Sequence, residues 1–225
     1  CLLNTNIKLG IVPLGSGNGL ASNLNIPRKI LTSLYIIKQQ KAIKIDVGSV
    51  NQKYFFSNAG LGFDATVIKN YESSNKRTLI GYILACFTSL KEIKSTKNLA
   101  IKINDSVFEI DPFLVFISNS NELGYKFSLT PKASLQDGLL DVLIVSKISK
   151  LKMIWFGFLV LINKPLHLKE ATYYQTHQLE VQNKKQNYFE TQVDGEFSTI
   201  QKETLVIHIN KRALNVISPS PVLSL

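Results

Sequence analysis

The chain has 225 residues, of which 45% are hydrophobic, and this is enough apolar side chain for a folded core in one large or two small domains. Its net charge of +10 at pH 7 favours anionic partners such as nucleotides or lipid headgroups, and the dispersed lysines argue against a nucleic-acid-binding tail. Two distant cysteines, Cys1 and Cys86, argue against a disulfide scaffold and fit a reducing cytoplasm.

The first part of the chain has the pattern of an α/β unit. The apolar run from Lys8 to Leu14 predicts a buried strand, and it breaks into the loop Gly15-Ser16-Gly17-Asn18-Gly19. Glycines can adopt positive φ and let backbone N–H groups approach a ligand, and a helix starting near Leu20 would add its positive dipole end. At this point two interpretations stay open: an ordinary strand-to-helix turn and a phosphate-binding loop.

A second helix is predicted over residues 28–40, with one apolar face formed by Ile30, Leu31, Leu34 and Ile37. From Ala42 the apolar period changes from helical to two, which is typical of a strand. We therefore place a domain boundary near residue 42, with residues 1–42 in an α/β domain and residues 43–213 in a second domain. The tail, residues 214–225, is predicted to return to the first domain.

Short strands dominate the second domain and predict an antiparallel sandwich or barrel. The predicted strands lie at residues 43–47, 54–56, 99–103, 107–110, 113–118, 139–145, 173–174, 179–181, 188–193 and 205–209. Between them, Asn58 to Ala65 is interpreted as a second glycine-bearing loop, and residues 65–90 as mostly helical with a packed stripe of Leu79, Ile83 and Phe87. The expected fold class is therefore α+β, with part of an α/β domain followed by an antiparallel β-sandwich.

The longest apolar run, residues 153–162, is predicted to be a helix. It is shorter than the roughly 20 residues that cross a bilayer, so it is expected either to pack in the core or to contact a membrane surface. The three histidines have no metal-ligand spacing, and no GxSxG motif is present, which disfavours a zinc site and a serine hydrolase.

Two Asp-Gly pairs have a structural and a chemical interpretation. Asp137-Gly138 and Asp194-Gly195 are both common hairpin-turn pairs. The second is followed by Glu196, so two carboxylates flank a flexible glycine and could serve as metal ligand and as proton acceptor. Spacing permits this chemistry without proving it.

Four segments together resemble the diacylglycerol kinase and sphingosine kinase catalytic family. They are Pro13 to Ala21 (PLGSGNGLA), Asn58 to Ala65 (NAGLGFDA), Ala133 to Val142 (ASLQDGLLDV) and Val193 to Glu196 (VDGE). They occur in the family's order and span nearly the whole chain. This combination is far more specific than any one of the motifs.

The resemblance implies an N-terminal α/β nucleotide domain, a C-terminal β-sandwich that holds a lipid, and ATP with Mg²⁺ in the cleft between them. By motif position it assigns nucleotide binding to the loop residues Gly15, Ser16, Gly17 and Asn18. It assigns the general base that deprotonates the lipid hydroxyl to Glu196, and a place near the phosphates or metal to Asp194. A structural Mg²⁺ would be held by Asp137 and the carbonyl of Leu139, and Asp64 would face the lipid substrate.

The predicted function is therefore ATP-dependent phosphorylation of a lipid hydroxyl, such as that of diacylglycerol or a sphingoid base, at an anionic membrane surface. An edge-strand homodimer is compatible with the pattern. The family's Gly-Gly-Asp-Gly-Thr phosphate motif precedes the segment matching Pro13 and is absent from the printed sequence, so we expect the printed chain alone to be inactive. The alternatives are a non-catalytic lipid-binding or regulatory module and, less favoured by the motifs, an NAD-kinase-like enzyme.

Overall fold

The structure, a computed structural model, describes residues 2–74, 78–92, 98–124 and 127–219. The helices found there are α1 (Gly19–Asn23), α2 (Ile30–Gln39), α3 (Phe63–Ser73), α4 (Leu79–Glu92) and α5 (Lys150–Leu161), with a 3₁₀ turn at Pro165–His167. The strands are β1 (Lys8–Leu9), β2 (Ala42–Val50), β3 (Lys53–Phe55), β4 (Asn58–Gly62), β5 (Leu99–Ile103), β6 (Ser106–Ile110), β7 (Pro112–Ser118), β8 (Leu140–Ser146), β9 (Ala171–Thr176), β10 (Gln178–Asn183), β11 (Phe189–Val193), β12 (Glu196–Ile200) and β13 (Thr204–Ile217).

These strands form two mainly antiparallel sheets. The first has the order β3-β2-β13-β10-β5-β6, with β1 added in parallel to β13, and the second has the order β12-β11-β4-β7-β8-β9. Tight hairpins follow from local turn chemistry, because Asn51, Asn104 and Asp194 each adopt positive φ at the start of a turn. The long strand β13 pairs with β10 along one half and with β2 along its length, with a bulge between Asn210 and Leu214.

The main core lies between the two sheets. Alternate residues of each sheet point inward, including Ile101, Val181 and Ile207 from the first sheet and Val115 and Val142 from the second, all of them fully buried. This is the alternation expected of a sandwich with polar residues on the outside. The predicted α+β fold with an antiparallel β-sandwich is confirmed.

Helices cover the outer face of the second sheet. α3 packs on β4, β7, β11 and β12, and α5 packs on the side chains that alternate away from the main core, Leu114, Phe116, Leu143 and Val145. Ring contacts connect the two helices, since Phe63 stacks on Phe113 at 4.8 Å between centroids and Phe113 meets Phe156 edge to face at 6.3 Å. The start of α3 is thus held in place by the same aromatic cluster that anchors α5.

A third cluster joins the N-terminal segment to the first sheet. Ala21 of α1, together with Leu24 and Ile26 just after the helix, packs on Ile45 of β2 and Val216 of β13. The glycine loop that precedes α1 is thereby placed over one end of the sandwich. The domain boundary near residue 42 and the assignment of residues 214–225 to the first domain stay predictions, and residues 220–225 and Cys1 lie outside the described residues.

Several expected elements differ from those observed. The predicted strand Lys8 to Leu14 is only Lys8–Leu9, because only those residues pair with β13. The segment predicted as the loop Asn58 to Ala65 is instead a strand, β4, followed directly by α3, because β4 finds ladder partners in both β7 and β11.

The helices lie where the sequence predicts them, but the faces predicted to be buried are largely exposed. α3 and α4 fill most of residues 65–90, with residues 75–77 outside the described part of the chain. The expected packed stripe of α4 is largely exposed at Ile83 and Phe87, and the residues that α4 buries are Gly81, Ala85 and Ser89. In α2 the predicted apolar face is likewise exposed at Ile30, Leu31 and Leu34, and the helix buries Ser33 and Ile36.

Candidate functional site

The glycine loop is closed by one side chain. The Gly15 N–H donates to Asn18 Oδ1 at 2.9 Å, and Asn18 Nδ2 donates back to the Gly15 carbonyl. Asn18 adopts the left-handed conformation, φ 54° and ψ 38°, and its carbonyl accepts the first bond of α1 from Ser22. The three glycines of the loop do not use the positive φ that is open to them; Asn18 makes the turn instead, since asparagine also tolerates that conformation.

The glycines serve close approach instead. A Cβ on Gly19 would lie 2.8 Å from the Glu122 carbonyl oxygen, and a Cβ on Gly124 would lie 3.1 Å from the Gly17 Cα. The loop therefore packs backbone against backbone on the segment that follows β7. Arg28 adds a second support, since its Nη2 donates to the carbonyls of Ser16 and Gly17 at 3.0 and 3.1 Å.

Asp194 and Gly195 form the two-residue turn between β11 and β12, with φ values of 51° and 80°. The Asp194 carboxylate turns back to accept three backbone N–H groups, from Phe56 at 2.8 Å, Ser57 at 2.7 Å and Asn58 at 3.1 Å. A single carboxylate thus fixes the connection between β3 and β4. The turn is exposed as a whole, but the carboxylate itself faces these N–H groups.

The pKa of Asp194 reflects competing effects. Desolvation of the carboxylate raises the pKa, the three backbone N–H donors lower it, and the nearby Glu196 carboxylate raises it again, so that it ends above its ordinary value. The Glu196 side chain points away into solvent, 77% exposed, and its closest charged partner is Lys53, with Nζ 3.8 Å from Oε2. An exposed pair at this distance is weak, so the Glu196 side chain is free to move.

A cleft joins the glycine loop to the Asp194 turn. It has a volume of about 440 Å³ and lies between the loop residues Gly15 and Asn18 on one side and Phe56, Ser57 and Asp194 on the other. The structure therefore brings together residues that are about 180 positions apart in sequence, as their numbering shows. Ser16 and Gly17 stand at the apex of the loop, and neither they nor Glu196 line this cleft in the conformation observed.

Asp64 is buried at the start of α3, with 6% of its surface exposed. Its Oδ2 accepts from Gln192 Nε2 at 2.6 Å, and a Cβ on Gly60 would lie 2.0 Å from the same oxygen, so only glycine fits there. Desolvation by burial raises the pKa of Asp64 to about 6, with the Gln192 bond opposing the rise. Through Gln192, the buried Asp64 carboxyl is connected to the turn that carries Asp194.

Gln192 connects these groups, and sequence reasoning missed it. Its Nε2 also donates to Asn58 Oδ1 at 2.7 Å, while its Oε1 accepts the Gly195 N–H at 2.9 Å. Gln192 thus ties Asp64 to the turn that carries Asp194. The available signal was an amide residue two positions before the VDGE aspartate, within a strand that is otherwise mostly buried.

The Asp137 turn lies beside a second buried carboxyl. Asp137 Oδ1 accepts the Leu139 N–H at 3.0 Å, and the next acidic residue, Asp141, is fully buried with Oδ1 bonded to Tyr173 and Gln175. Its Oδ2 has no hydrogen-bond partner. Desolvation, and then repulsion from Asp137, raise the pKa of Asp141 to about 7.

This arrangement fits a cation. A buried, unpartnered carboxylate oxygen close to a second carboxylate is the kind of donor set that Mg²⁺ binds, and the Leu139 carbonyl belongs to the same turn. Within the described residues no group of three or more His, Cys, Asp or Glu side chains is placed to hold a metal. Two carboxylates and a carbonyl would therefore leave the remaining positions to water, which is usual for Mg²⁺.

Asn119 links the segments that support the two Asp-Gly turns, and no sequence motif marks this residue. Its Nδ2 donates to the Asp46 carbonyl at 2.8 Å and to the Phe56 carbonyl at 3.0 Å. The Asp46 carboxylate, fully buried in β2, accepts from the N–H groups of Gly138 at 2.7 Å and Arg212 at 2.6 Å. Both turns are therefore tied to the same end of the sandwich.

Two known protein families match this chain, one in each of its two parts. Residues 57–218 match the YegS C-terminal NAD kinase beta sandwich-like domain, and residues 1–50 match the diacylglycerol kinase catalytic domain. The first match alone covers most of the chain and includes Asp64, Asp137, Asp194 and Glu196.

Individual relatives agree with this. The diacylglycerol kinases of Staphylococcus aureus strains JH9 and Newman are each 30% identical over 143 residues, and the match covers 62% of this chain and 45% of the length of these relatives. Two solved structures of Bacillus anthracis Sterne proteins named as diacylglycerol kinases superpose with TM-scores of 0.78 and 0.70 at 20% and 19% identity. They cover 98% of this chain and 71% and 69% of theirs, and at this identity they show the shared fold.

Proposed function

Since this chain belongs to the diacylglycerol kinase family, we propose that it forms the lipid-binding sandwich and one wall of the nucleotide site of an ATP-dependent lipid kinase. The observation that carries the proposal is the cleft in which the glycine loop faces Asp194. Loop amides, the start of α1 and the Arg28 guanidinium would together provide a positive setting for nucleotide phosphates.

In this proposal Glu196 acts as the general base. Its carboxylate takes the proton of the lipid hydroxyl while the hydroxyl oxygen bonds to the γ-phosphorus of ATP and the bridging P–O bond to the β-phosphate breaks, which releases ADP. Leaving its exposed partner Lys53 costs little, so the side chain can turn towards the cleft. Asp194 would hold the Phe56 to Asn58 backbone in place beside the phosphates.

Mg²⁺ fits two places in the proposal. When bound with the nucleotide near Asp194, it would neutralise the negative charge of the phosphates. At the Asp137 turn a structural ion would be held by Asp137 and the Leu139 carbonyl, with the unpartnered oxygen of Asp141 beside them. Asp64, buried behind the cleft and bonded to Gln192, would orient the polar headgroup of the lipid.

The substrate class is a lipid alcohol, with diacylglycerol and a sphingoid base as the leading candidates.

The test is transfer of label from [γ-³²P]ATP by the full-length protein to diacylglycerol, sphingosine and phosphatidylglycerol presented in mixed micelles. We expect one of these lipids to be labelled, and Glu196→Gln to lower kcat by about 10²–10⁴-fold because the proton acceptor is lost. Glu190→Gln is the matched control, since Glu190 lies on the same hairpin and is also paired with a lysine, Lys69 at 2.8 Å.

Two outcomes would contradict the proposal. Near wild-type turnover in Glu196→Gln would remove its role as base. Tight lipid binding without any label transfer by the full-length protein would favour the alternative, a lipid-binding or regulatory module.

A further inference from the structure

α5 has two apolar faces, and only one of them is packed. Met153, Phe156 and Leu159 face the aromatic cluster on the outer side of the second sheet, where Phe156 and Leu159 are buried. Because these positions repeat every three residues, they form one stripe along the helix. A soluble helix normally places polar residues on the opposite stripe.

The opposite stripe of α5 is instead apolar and exposed. Its large side chains lie between 44% and 78% exposed and repeat with helical spacing; they are Leu151, Ile154, Trp155, Phe158, Leu161 and, just past the helix end, Ile162. Trp155 and Phe158 stack with their centroids 5.4 Å apart, which forms a continuous aromatic surface. We name these six residues the α5 outer face.

Basic residues flank this face along the chain. From residue 142 to residue 169 the sequence has five lysines and no aspartate or glutamate. All five lysines are exposed; they are Lys147, Lys150, Lys152, Lys164 and Lys169. Lys152 is paired with Glu170, and the others add basic charge at both ends of the helix.

We propose that the α5 outer face is a docking surface for anionic membranes, with the helix lying in the plane of the lipid headgroups. An apolar stripe that includes tryptophan, set between lysines, matches both the acyl boundary and the negative headgroups of such a membrane. A second copy of the chain fits less well, because a symmetric contact through this face would bring two lysine-rich rims together. None of the described helices has the length and composition to cross a bilayer.

The test uses Trp155, which is the only tryptophan of the chain and lies at the centre of the proposed surface. Full-length protein is mixed with vesicles of phosphatidylglycerol or of phosphatidylcholine, without ATP. With phosphatidylglycerol we expect a blue shift of tryptophan emission and quenching by brominated acyl chains. With phosphatidylcholine, and with phosphatidylglycerol at high salt, we expect both signals to be much weaker. If the full-length protein has tryptophans outside this chain, they are replaced by phenylalanine.

Variants separate the apolar from the electrostatic contribution. Phe158→Glu should lower the vesicle partition coefficient about tenfold or more, and Lys164→Gln about fivefold. Ile154→Glu provides a second apolar test, and far-ultraviolet circular dichroism checks that each variant is folded. Val107→Glu is the matched control, because Val107 is 66% exposed on a different sheet and should leave partitioning unchanged.

Three results would overturn the inference. Vesicle binding without any change in Trp155 emission would place the membrane contact elsewhere. A Trp155 shift that depends on protein concentration and not on lipid would show that a second copy covers the face. Equal binding to both lipids would remove the role of the lysines. Because the assay contains no ATP and measures no turnover, its failure is distinguishable from failure of the kinase proposal.

Discussion

The two Asp-Gly turns of this chain have the same dipeptide and different uses. At Asp194-Gly195 the pair closes a hairpin, and the aspartate reaches across to three N–H groups of the neighbouring chain segment, next to the cleft. At Asp137-Gly138 the aspartate accepts the N–H of Leu139, two residues further on, and buried Asp46 accepts the N–H of the glycine. The first turn therefore builds the cleft, while the second fastens the start of β8 to β2.

Each turn also has a buried carboxyl behind it. Asp64 is connected to the first turn through Gln192, and Asp141 lies beside the second with one unpartnered oxygen. The two carboxyls differ in their hydrogen-bond partners. Asp64 accepts from the Gln192 amide, whereas one buried oxygen of Asp141 has no hydrogen-bond partner, and such an oxygen suits a cation. The comparison shows that the role of an Asp-Gly turn depends on the buried carboxyl that lies next to it and on how that carboxyl is hydrogen-bonded.

The largest expected effect is on catalysis at the first turn. We expect Asp194→Ala to lower kcat/KM of the full-length protein by about 10²-fold or more, because the Phe56 to Asn58 backbone loses its anchor beside the cleft. Steady-state kinetics with labelled ATP measures this. Asp105→Ala, at the exposed β5–β6 turn, is the control and should stay near wild type. A comparable loss in the control would show that the effect is not specific to the cleft.

The next effect is a pH dependence of stability at Asp64. Its pKa is about 6 in the folded chain against 3.8 as the ordinary value, so between these pH values the folded state holds a proton that the unfolded state has lost. Stability therefore falls as pH rises through this window, by up to about 3 kcal/mol. Asp64→Asn should remove this decline, so that its stability relative to wild type increases from pH 4 to pH 6.5.

Urea unfolding at several pH values measures this difference. Asp105→Asn serves as control, since a carboxylate at an exposed turn should leave the profile of the wild type unchanged. A parallel profile for Asp64→Asn and wild type would contradict a raised pKa at Asp64.

The third expected effect is stabilisation by Mg²⁺, which should depend on Asp137 and not on Asp194. Mg²⁺ at ten to a hundred times its dissociation constant should raise the free energy of unfolding by about 1–3 kcal/mol, because it binds the folded Asp137 turn only. Asp137→Asn should abolish this gain, whereas Asp194→Asn should keep it. Thermal unfolding without nucleotide, with and without MgCl₂, gives the result. A gain that follows Asp194 instead would reverse the assignment of the structural ion.

The smallest effect compares the glycines themselves. Gly195→Ala and Gly138→Ala should each cost about 1–2 kcal/mol, because both positions have positive φ. A Cβ would meet nothing within 4 Å at Gly195 but would lie 2.8 Å from Lys211 Cε at Gly138, so Gly138→Ala should be the more destabilising. Only Gly195→Ala should also raise KM for ATP. Equal KM changes in the two variants would show that both turns contact the nucleotide site.

The sequence by itself determined the family, the fold class and the positions of most elements. These depend on local features: alternation in the strands, turn residues such as Asn104 and Asp194, and four motifs in a fixed order. The confirmed strands include alternating ones such as β10 and short continuous apolar runs such as β7 and β8, and both patterns are visible without knowledge of the partner strands. The candidate site residues named from the motifs stay predictions, although the structure places Gly15, Asn18 and Asp194 around one cleft.

Only the tertiary structure decided what each motif residue contacts and which apolar faces are buried. Asn58–Gly62 reads as a loop because glycines carry no strand signal, and it is a strand because β7 and β11 supply its hydrogen bonds. The hydrogen-bond partners that hold the two turns are distant in sequence. Phe56 and Asp194 are 138 residues apart, and Asp46 and Gly138 are 92 residues apart. A helical stripe in α4 or α5 predicts a helix, but its burial depends on whether another surface covers it, and that information is absent from any local pattern.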